Sequence, residues 1–266
     1  MFPSQWWLIL AVALALNSVG FKKYVWFKTI GYGLSVGGMA LAIGVMAIVR
    51  GRSSAGFMIL CIALLIYGFR LAATLLLRER RSFLINGPLS AENYKHISLT
   101  ATTILWLLDS ILYCSLMAPV FYRLSDLTAS GDEASLYIGM CVTISGVVIE
   151  IMADYQRTEQ RKTNSSLPAT EGLYSMCRCP DYFGEILVWT GVFITGVTVY
   201  TVSQFIFALI GYLIILYMMI NGAKRMEIQQ IKCFGKNKTY IEYANKTPIL
   251  IPLVPLYHLV KVKNEE

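Results

Sequence analysis

Along this chain the apolar residues are gathered into blocks separated by short polar segments. The blocks run Trp6–Phe21, Thr29–Val49, Ala55–Leu77, Ile104–Phe121 and Leu136–Ala153. Crossing the hydrocarbon of a bilayer takes roughly 17–25 helical residues, so each block predicts a transmembrane helix, the first and fifth being short. A last stretch, Ile186–Ala223, has 38 residues and no charged side chain. As one helix it would be about 57 Å long, far more than one crossing needs. Two spans joined by a tight polar turn near Thr198–Gln204 fit better. The pattern therefore predicts an all-α polytopic membrane bundle of about seven transmembrane helices, in a single integral membrane domain over 1–266.

Composition agrees: 56% of the residues are hydrophobic and 15% charged, against about a quarter charged in a soluble domain. Charge then sets the orientation. With seven spans the connecting loops alternate sides. On the side of the C-terminal tail fall Lys22, Lys23, Lys28, Arg78, Arg80, Arg81, Lys95, Arg157, Arg161, Lys162 and Arg178. The tail adds Lys224, Arg225, Lys232, Lys236, Lys238, Lys246, Lys261 and Lys263. The opposite side carries Arg50, Arg52 and Arg123. The positive-inside rule then predicts a cytoplasmic C-terminus and an outside or lumenal N-terminus. It also accounts for the net charge of +7 through juxtamembrane anchors facing membrane lipids, with no nucleic acid as partner. The expected membrane is the endoplasmic reticulum for a eukaryotic chain and the plasma membrane for a bacterial one.

The first apolar block has no basic segment before it and no small-residue cleavage site after it, which predicts a retained signal-anchor helix. Cys61, Cys114 and Cys141 fall within spans as small apolar residues. Cys177, Cys179 and Cys233 fall on the reducing side, which argues against a disulfide framework. A metal site from these three with His96 or His258 is not expected, because a Cys-x-Cys pair lacks the usual zinc spacing. The sequons at Asn164, Asn237 and Asn245 are expected to stay unmodified on the cytoplasmic side.

Candidate chemistry is concentrated late in the chain. Spacings of four, three and four place Glu150, Asp154, Arg157 and Arg161 on one helical face, which by itself reads as a self-paired charged stripe leaving the membrane. The segment Glu171 to Glu185 leads directly into the uncharged stretch. Pro180 suits a first helical turn, and Asp181 suits its positive end. Glu185 is the acid at the mouth of that stretch, where a carboxylate is costly and points to function. Arg70 and Asp109 lie inside spans at similar depths, about 12 and 8 Å, as a buried pair or as cavity-wall charges.

The order Gly172-Leu173-Tyr174, then Arg178-Cys179-Pro180-Asp181-Tyr182-Phe183-Gly184-Glu185, resembles a signature of the steroid 5-alpha-reductase-like membrane proteins. In that family, which includes a large uncharacterised branch, it reads Gly-Leu-Trp then Arg-His-Pro-Asn-Tyr-Phe-Gly-Glu. Ala153-Asp154-Tyr155-Gln156 resembles its Ala-Asp-x-Gln, and Arg70-Leu71 with Arg78 its third-span arginines. The tail, Glu227, Phe234-Gly235, Tyr240, Tyr243, Thr247 and Ile251-Pro252, is similar too. The likeness divides the chain into N-terminal helices over 1–145, a cofactor region over 146–252 and a cytoplasmic tail over 253–266.

The resemblance implies a seven-helix bundle whose cavity opens to the cytoplasm and the membrane. NADPH would lie under the cytoplasmic loops and deliver hydride to a carbon–carbon double bond conjugated to a carbonyl in a hydrophobic small-molecule substrate. The cofactor-binding residues it implies are Asp154, Arg157, Arg161, Arg178, Asp181, Tyr182, Glu185 and Arg225. Arginines suit diphosphate and 2′-phosphate groups, and a cavity tyrosine would serve the enolate. Arg70, Asp109 and Glu150 are candidates for charge in the cavity.

The chain departs from the pattern where His-Pro-Asn becomes Cys179-Pro180-Asp181. A carboxylate only accepts, so Asp181 either weakens cofactor binding or holds a ribose hydroxyl. Residues 1–78 contain no Asp or Glu, so the early acid that holds the substrate carbonyl in the steroid enzymes has no counterpart. Two other readings remain. One is an S-adenosylmethionine-dependent enzyme similar to the isoprenylcysteine carboxyl methyltransferases, whose tail acids are matched by Glu227 but not by Met226. The other is a catalytically silent protein of the same fold.

Overall fold

The computed structural model describes residues 5–86, 98–126, 133–163 and 167–260, and every regular element among them is helical. Lys95, His96, Lys261, Lys263, the Asn164 sequon and the side chains of Arg80 and Arg81 lie outside what is described. The apolar blocks form α1 (Trp6–Asn17), α2 (Ile30–Val49), α3 (Ala55–Asn86), α4 (Leu99–Asp126) and α5 (Ala134–Thr163). Two 3₁₀ turns, Ser18–Phe21 and Tyr24–Lys28, lead from α1 to α2. A single turn, α6 (Leu173–Met176), precedes α7 (Pro180–Thr195), α8 (Val202–Phe234) and α9 (Lys238–Lys246).

Helices α3, α4 and α5 outrun their apolar blocks. Once a helix is nucleated each added residue gains a backbone hydrogen bond, so it continues into polar sequence until a breaker stops it. Residues 196–201 form the turn between α7 and α8, close to the polar turn the sequence requires. Five segments are long and apolar enough to cross a membrane: Ile30–Val49, Ala55–Arg78, Leu99–Ser125, Ala134–Lys162 and Val202–Phe234. Helices α1 and α7 have 12 and 16 residues. At about 18 and 24 Å they fall short of the hydrocarbon thickness. Large apolar side chains stay exposed along the five, including Ile62 and Ile66 on α3 and Leu213 and Tyr217 on α8. Such surfaces suit lipid and not water. The chain is built as an integral membrane protein.

Residues 1–140 with 192–211 form one compact unit, and 141–191 with 212–266 form another. In the first, α2 and α3 approach through glycines. A Cβ on Gly33 would stand 2.6 Å from the Gly68 carbonyl oxygen, so only hydrogen fits. The buried polar groups there find mostly neutral partners. The Asn17 amide donates to Ser110 Oγ at 3.1 Å, and Tyr113 donates to the Phe27 carbonyl at 2.7 Å. The Tyr32 and Tyr67 hydroxyls meet at 2.9 Å. Arg123, 4% exposed, donates to Thr198 Oγ1 at 2.9 Å and Ser135 Oγ at 3.2 Å.

In the second unit α5 meets α7 through Gly146 and Gly184. A Cβ on Gly146 would lie 2.5 Å from the Gly184 carbonyl oxygen, and one on Gly184 would lie 2.8 Å from Glu150 Cγ. This close approach brings the C-terminal half of α5 beside the start of α7, where the candidate residues gather.

Candidate functional site

The site begins with a face of α5. Gln156 and Gln160, one turn apart, point at the loop that follows the helix. Gln160 Oε1 accepts from the Thr170 and Glu171 amides at 2.8 and 3.0 Å, while its amide donates to the Glu171 carbonyl at 3.0 Å. Gln156 Oε1 accepts from the Leu173 amide at 2.8 Å. Between them Gly172 adopts φ 67°, and a Cβ there would lie 2.6 Å from Gln156 Oε1. Glycine alone satisfies both the backbone and the space. The two glutamines thus act as backbone surrogates that fix α6 and Tyr174.

Tyr174 then positions Arg157. The Arg157 Nε donates to the Tyr174 hydroxyl at 2.9 Å, and the guanidinium lies 5.7 Å from the ring centroid. Its Nη2 pairs with Asp181 Oδ2 at 2.6 Å, the two side chains being 14% and 21% exposed. Asp181 stands in the first turn of α7, as its preference for the positive helix end requires. Its other oxygen, Oδ1, is buried and has no hydrogen-bond partner. Burial holds the Tyr174 phenol well above its ordinary range, despite Arg157 beside it.

A second ionic group lies at Arg178, where the chain turns into α7. The Arg178 side chain is 1% exposed and pairs through Nη2 with Glu227 Oε1 at 2.9 Å, Glu227 being fully buried. The same nitrogen donates to the Tyr257 carbonyl, and the Arg178 amide donates to the Pro248 carbonyl at 2.8 Å. Glu227 is saturated: Oε2 accepts from the Leu259 and Val260 amides at 2.8 and 3.1 Å, and Oε1 meets His258 Nδ1 at 2.9 Å. His258 Nε2 reaches Asn245 Oδ1 on α9 at 3.0 Å. Arg178 is not saturated. Its Nε and Nη1 are buried and meet no acceptor in full hydrogen-bond geometry, the buried Tyr240 hydroxyl being the neighbour that interacts with the guanidinium.

The two groups are joined. Tyr243 of α9 donates to the Tyr174 carbonyl at 2.6 Å. Cys179 sits in the fields of Asp181, Arg178 and Arg157, with burial as the main cause of its raised thiol pKa. Burial likewise pushes Cys177 up to about 12. Both thiols are inert packing groups, and Cys179 lies against Ala223, Ile249 and Leu250.

Of the residues singled out from the sequence, Arg157 and Asp181 come together and Arg178 is near them. Arg157 makes an ion pair across to Asp181 of α7, with Asp154 of its own helix also acting on it. Asp154, Tyr182 and Glu185 are half-buried, Glu150 is 5% exposed, and Arg161 and Arg225 are exposed. Arg70 is half-buried. Asp109 is 7% exposed with Oδ2 unpartnered, Lys28 being the cation that acts on it. The sequence reading did not include Gln160 or the backbone of residues 257–260, and it weighed His258 only as a metal ligand. The four-residue step from Gln156 was the one available signal for Gln160.

Residues 24–247 match a family described as Protein of unknown function (DUF1295). No curated protein and no solved structure matches the chain. The match spans most of the molecule, so the chain belongs to this family; it includes Arg157, Asp181, Arg178 and Glu227, but not residues 248–260 that close over Arg178.

Proposed function

We propose that this member of the family is an NADPH-dependent membrane reductase acting on a carbon–carbon double bond in a lipid-like enone, of sterol, isoprenoid or related type. The observation that carries the reading is Arg178: a buried guanidinium whose Nε and Nη1 meet no acceptor in hydrogen-bond geometry, with the Tyr240 hydroxyl interacting with it. Buried donors without acceptors are costly, and an anionic ligand group would satisfy them. The resemblance to the steroid 5-alpha-reductase-like proteins supplies the rest. In that reading the chain crosses the membrane seven times, with its N-terminus outside or lumenal and its tail cytoplasmic. The membrane is the endoplasmic reticulum in a eukaryote and the plasma membrane in a bacterium.

The residues present fit such a cofactor. Arg178 would take a phosphate oxygen, with Arg161 and Arg225 adding exposed positive charge. The free Asp181 Oδ1 would accept from a ribose hydroxyl, while Arg157 holds the other oxygen and fixes the carboxylate. Bound NADPH would supply hydride to the conjugated double bond. The exposed apolar helices would admit a substrate from lipid, and the saturated Glu227 group would exclude water from behind Arg178.

One observation favours a second reading. Glu227 neutralises Arg178 under the folded tail, which is what a catalytically silent protein of the same fold would keep. Titrating detergent-purified protein with NADPH, and with S-adenosylmethionine in parallel, separates these. Saturable micromolar NADPH binding, weakened several-fold in Arg161→Ala and Arg225→Ala, is the expected result. Binding of S-adenosylmethionine instead would select methyl transfer, and binding of neither would select the silent protein.

A further inference from the structure

The C-terminal tail carries a feature that the ionic site does not use. On α7 the charge-free stretch begins at Ile186, and on α8 it ends at Ala223, with Lys224 and Arg225 next. From Val202 to Ala223 α8 has 22 uncharged residues, about 33 Å of helix, close to the thickness of the hydrocarbon. Ile249 and Leu250 of the tail pack against both of these boundary residues. The tail therefore folds back to the level where hydrocarbon gives way to headgroups.

From there residues 250–255 form a closed loop. The Ile249 amide donates to the Leu256 carbonyl at 2.8 Å, and the Val254 amide donates to the Ile251 carbonyl at 3.3 Å. The loop and its flank expose Leu253 at 95%, with Ile251, Val254, Leu256 and Tyr257 each over a third exposed. No charged side chain occurs from Thr247 to Tyr257. Leu253 adopts φ 68°, a conformation for which glycine or asparagine is the ordinary choice. The position spends conformational freedom to present a large apolar side chain. Lys224, Arg225 and Lys246 are exposed nearby in sequence or structure, as cations facing anionic headgroups would be.

We propose that the loop Ile251–Tyr257 is a lipid-binding element that inserts its apolar side chains into the interface of the same bilayer the helices cross. The loop is anchored by Ile249 and Leu250 beside Ala223, one turn past exposed Ile220 on the apolar surface of α8, which argues for lipid as the occupant. Tyr257 belongs to the residue class that settles at headgroup depth. The loop is anchored immediately before the tail residues that saturate Glu227, so lipid seating also steadies the closure over Arg178. The insertion itself does not depend on which cofactor binds there.

The test places a spin label at Leu253→Cys in full-length protein carrying Cys141→Ser and Cys233→Ser, in nanodiscs of phosphatidylcholine and phosphatidylglycerol. Leu253 is almost fully exposed, so the label leaves the fold intact, and Ile251→Cys gives a second position. Ile214→Cys serves as the lipid-facing reference and Thr239→Cys as the aqueous one. The expected ratio of oxygen to nickel-chelate accessibility at Leu253 is several-fold above Thr239 and close to Ile214. A ratio at the Thr239 value, meaning water, would overturn the proposal. So would exclusion of both reagents, meaning that protein covers the loop.

Discussion

The two compact units differ in how their polar groups are held. In the unit of residues 1–140 and 192–211 the described contacts join amides and hydroxyls to hydroxyls and carbonyls, as at Asn17–Ser110 and Tyr32–Tyr67, beside the buried charges Asp109 and Arg123. Arg123 donates to two hydroxyls there. In the unit of residues 141–191 and 212–266 the buried groups are ions, paired as Arg157–Asp181 and Arg178–Glu227. Neutral hydrogen bonds are an inexpensive way to fix helices in a medium that offers no water. Buried ions are a poor way to gain stability, since well-packed apolar residues do as well. The Arg178–Glu227 pair, with donor nitrogens left over, is the feature on which the proposed function rests.

The contrast is sharpest at Glu227. Glu227→Ala leaves Arg178 charged and buried, and removes the acceptor for two tail amides. We expect a loss of about 3–5 kcal/mol, the cost of breaking a buried ion pair from one side. Thermal unfolding in detergent would show it, and hydrogen exchange should rise across residues 249–260. A small effect would mean that the ions are as replaceable as the neutral groups of the first unit. Tyr67→Phe probes that first unit. Losing one hydroxyl of a buried neutral pair should cost about 1 kcal/mol and leave ligand binding unchanged.

The smallest effect concerns the thiols. Cys177 is pushed up to about 12 by burial, above its unfolded value. The stability this burial supplies is full below the unfolded pKa, about 8.5, and is lost as pH rises through about 12. At pH 8 only about one native Cys177 in ten thousand is thiolate. Iodoacetamide at that pH should therefore modify exposed Cys233 and spare Cys177 and Cys179 until the protein unfolds. Rapid modification of native Cys177 would show that the Arg178 region opens freely.

What was legible in the sequence follows the range of the forces involved. The helices were, because lipid selects apolar composition over a fixed length, and that is written locally in the chain. Pro180 and Asp181 at the start of α7 were legible for the same local reason, through their preference for a first turn. The lengths of α1 and α7 were less so, because Asn17 ends one helix in a buried contact with α4 that no local pattern announces. In the site, charge spacing on α5 suggested pairing within the helix, yet Arg157 pairs 24 residues away. The tail contacts were least legible. They run through backbone groups of residues 257–260, which carry no sequence identity at all.

In the proposed function the charge of Arg178 is kept for an anionic ligand and not for folding. Replacing both partners, Arg178→Gln with Glu227→Gln, removes the charges together and leaves no uncompensated ion. Its NADPH affinity should be measured by fluorescence titration beside the wild type, with thermal unfolding as the check on folding. The account predicts a protein that still unfolds cooperatively but binds NADPH at least tenfold more weakly. Unchanged affinity in a folded double variant would contradict it and reduce Arg178–Glu227 to a structural clasp for the tail.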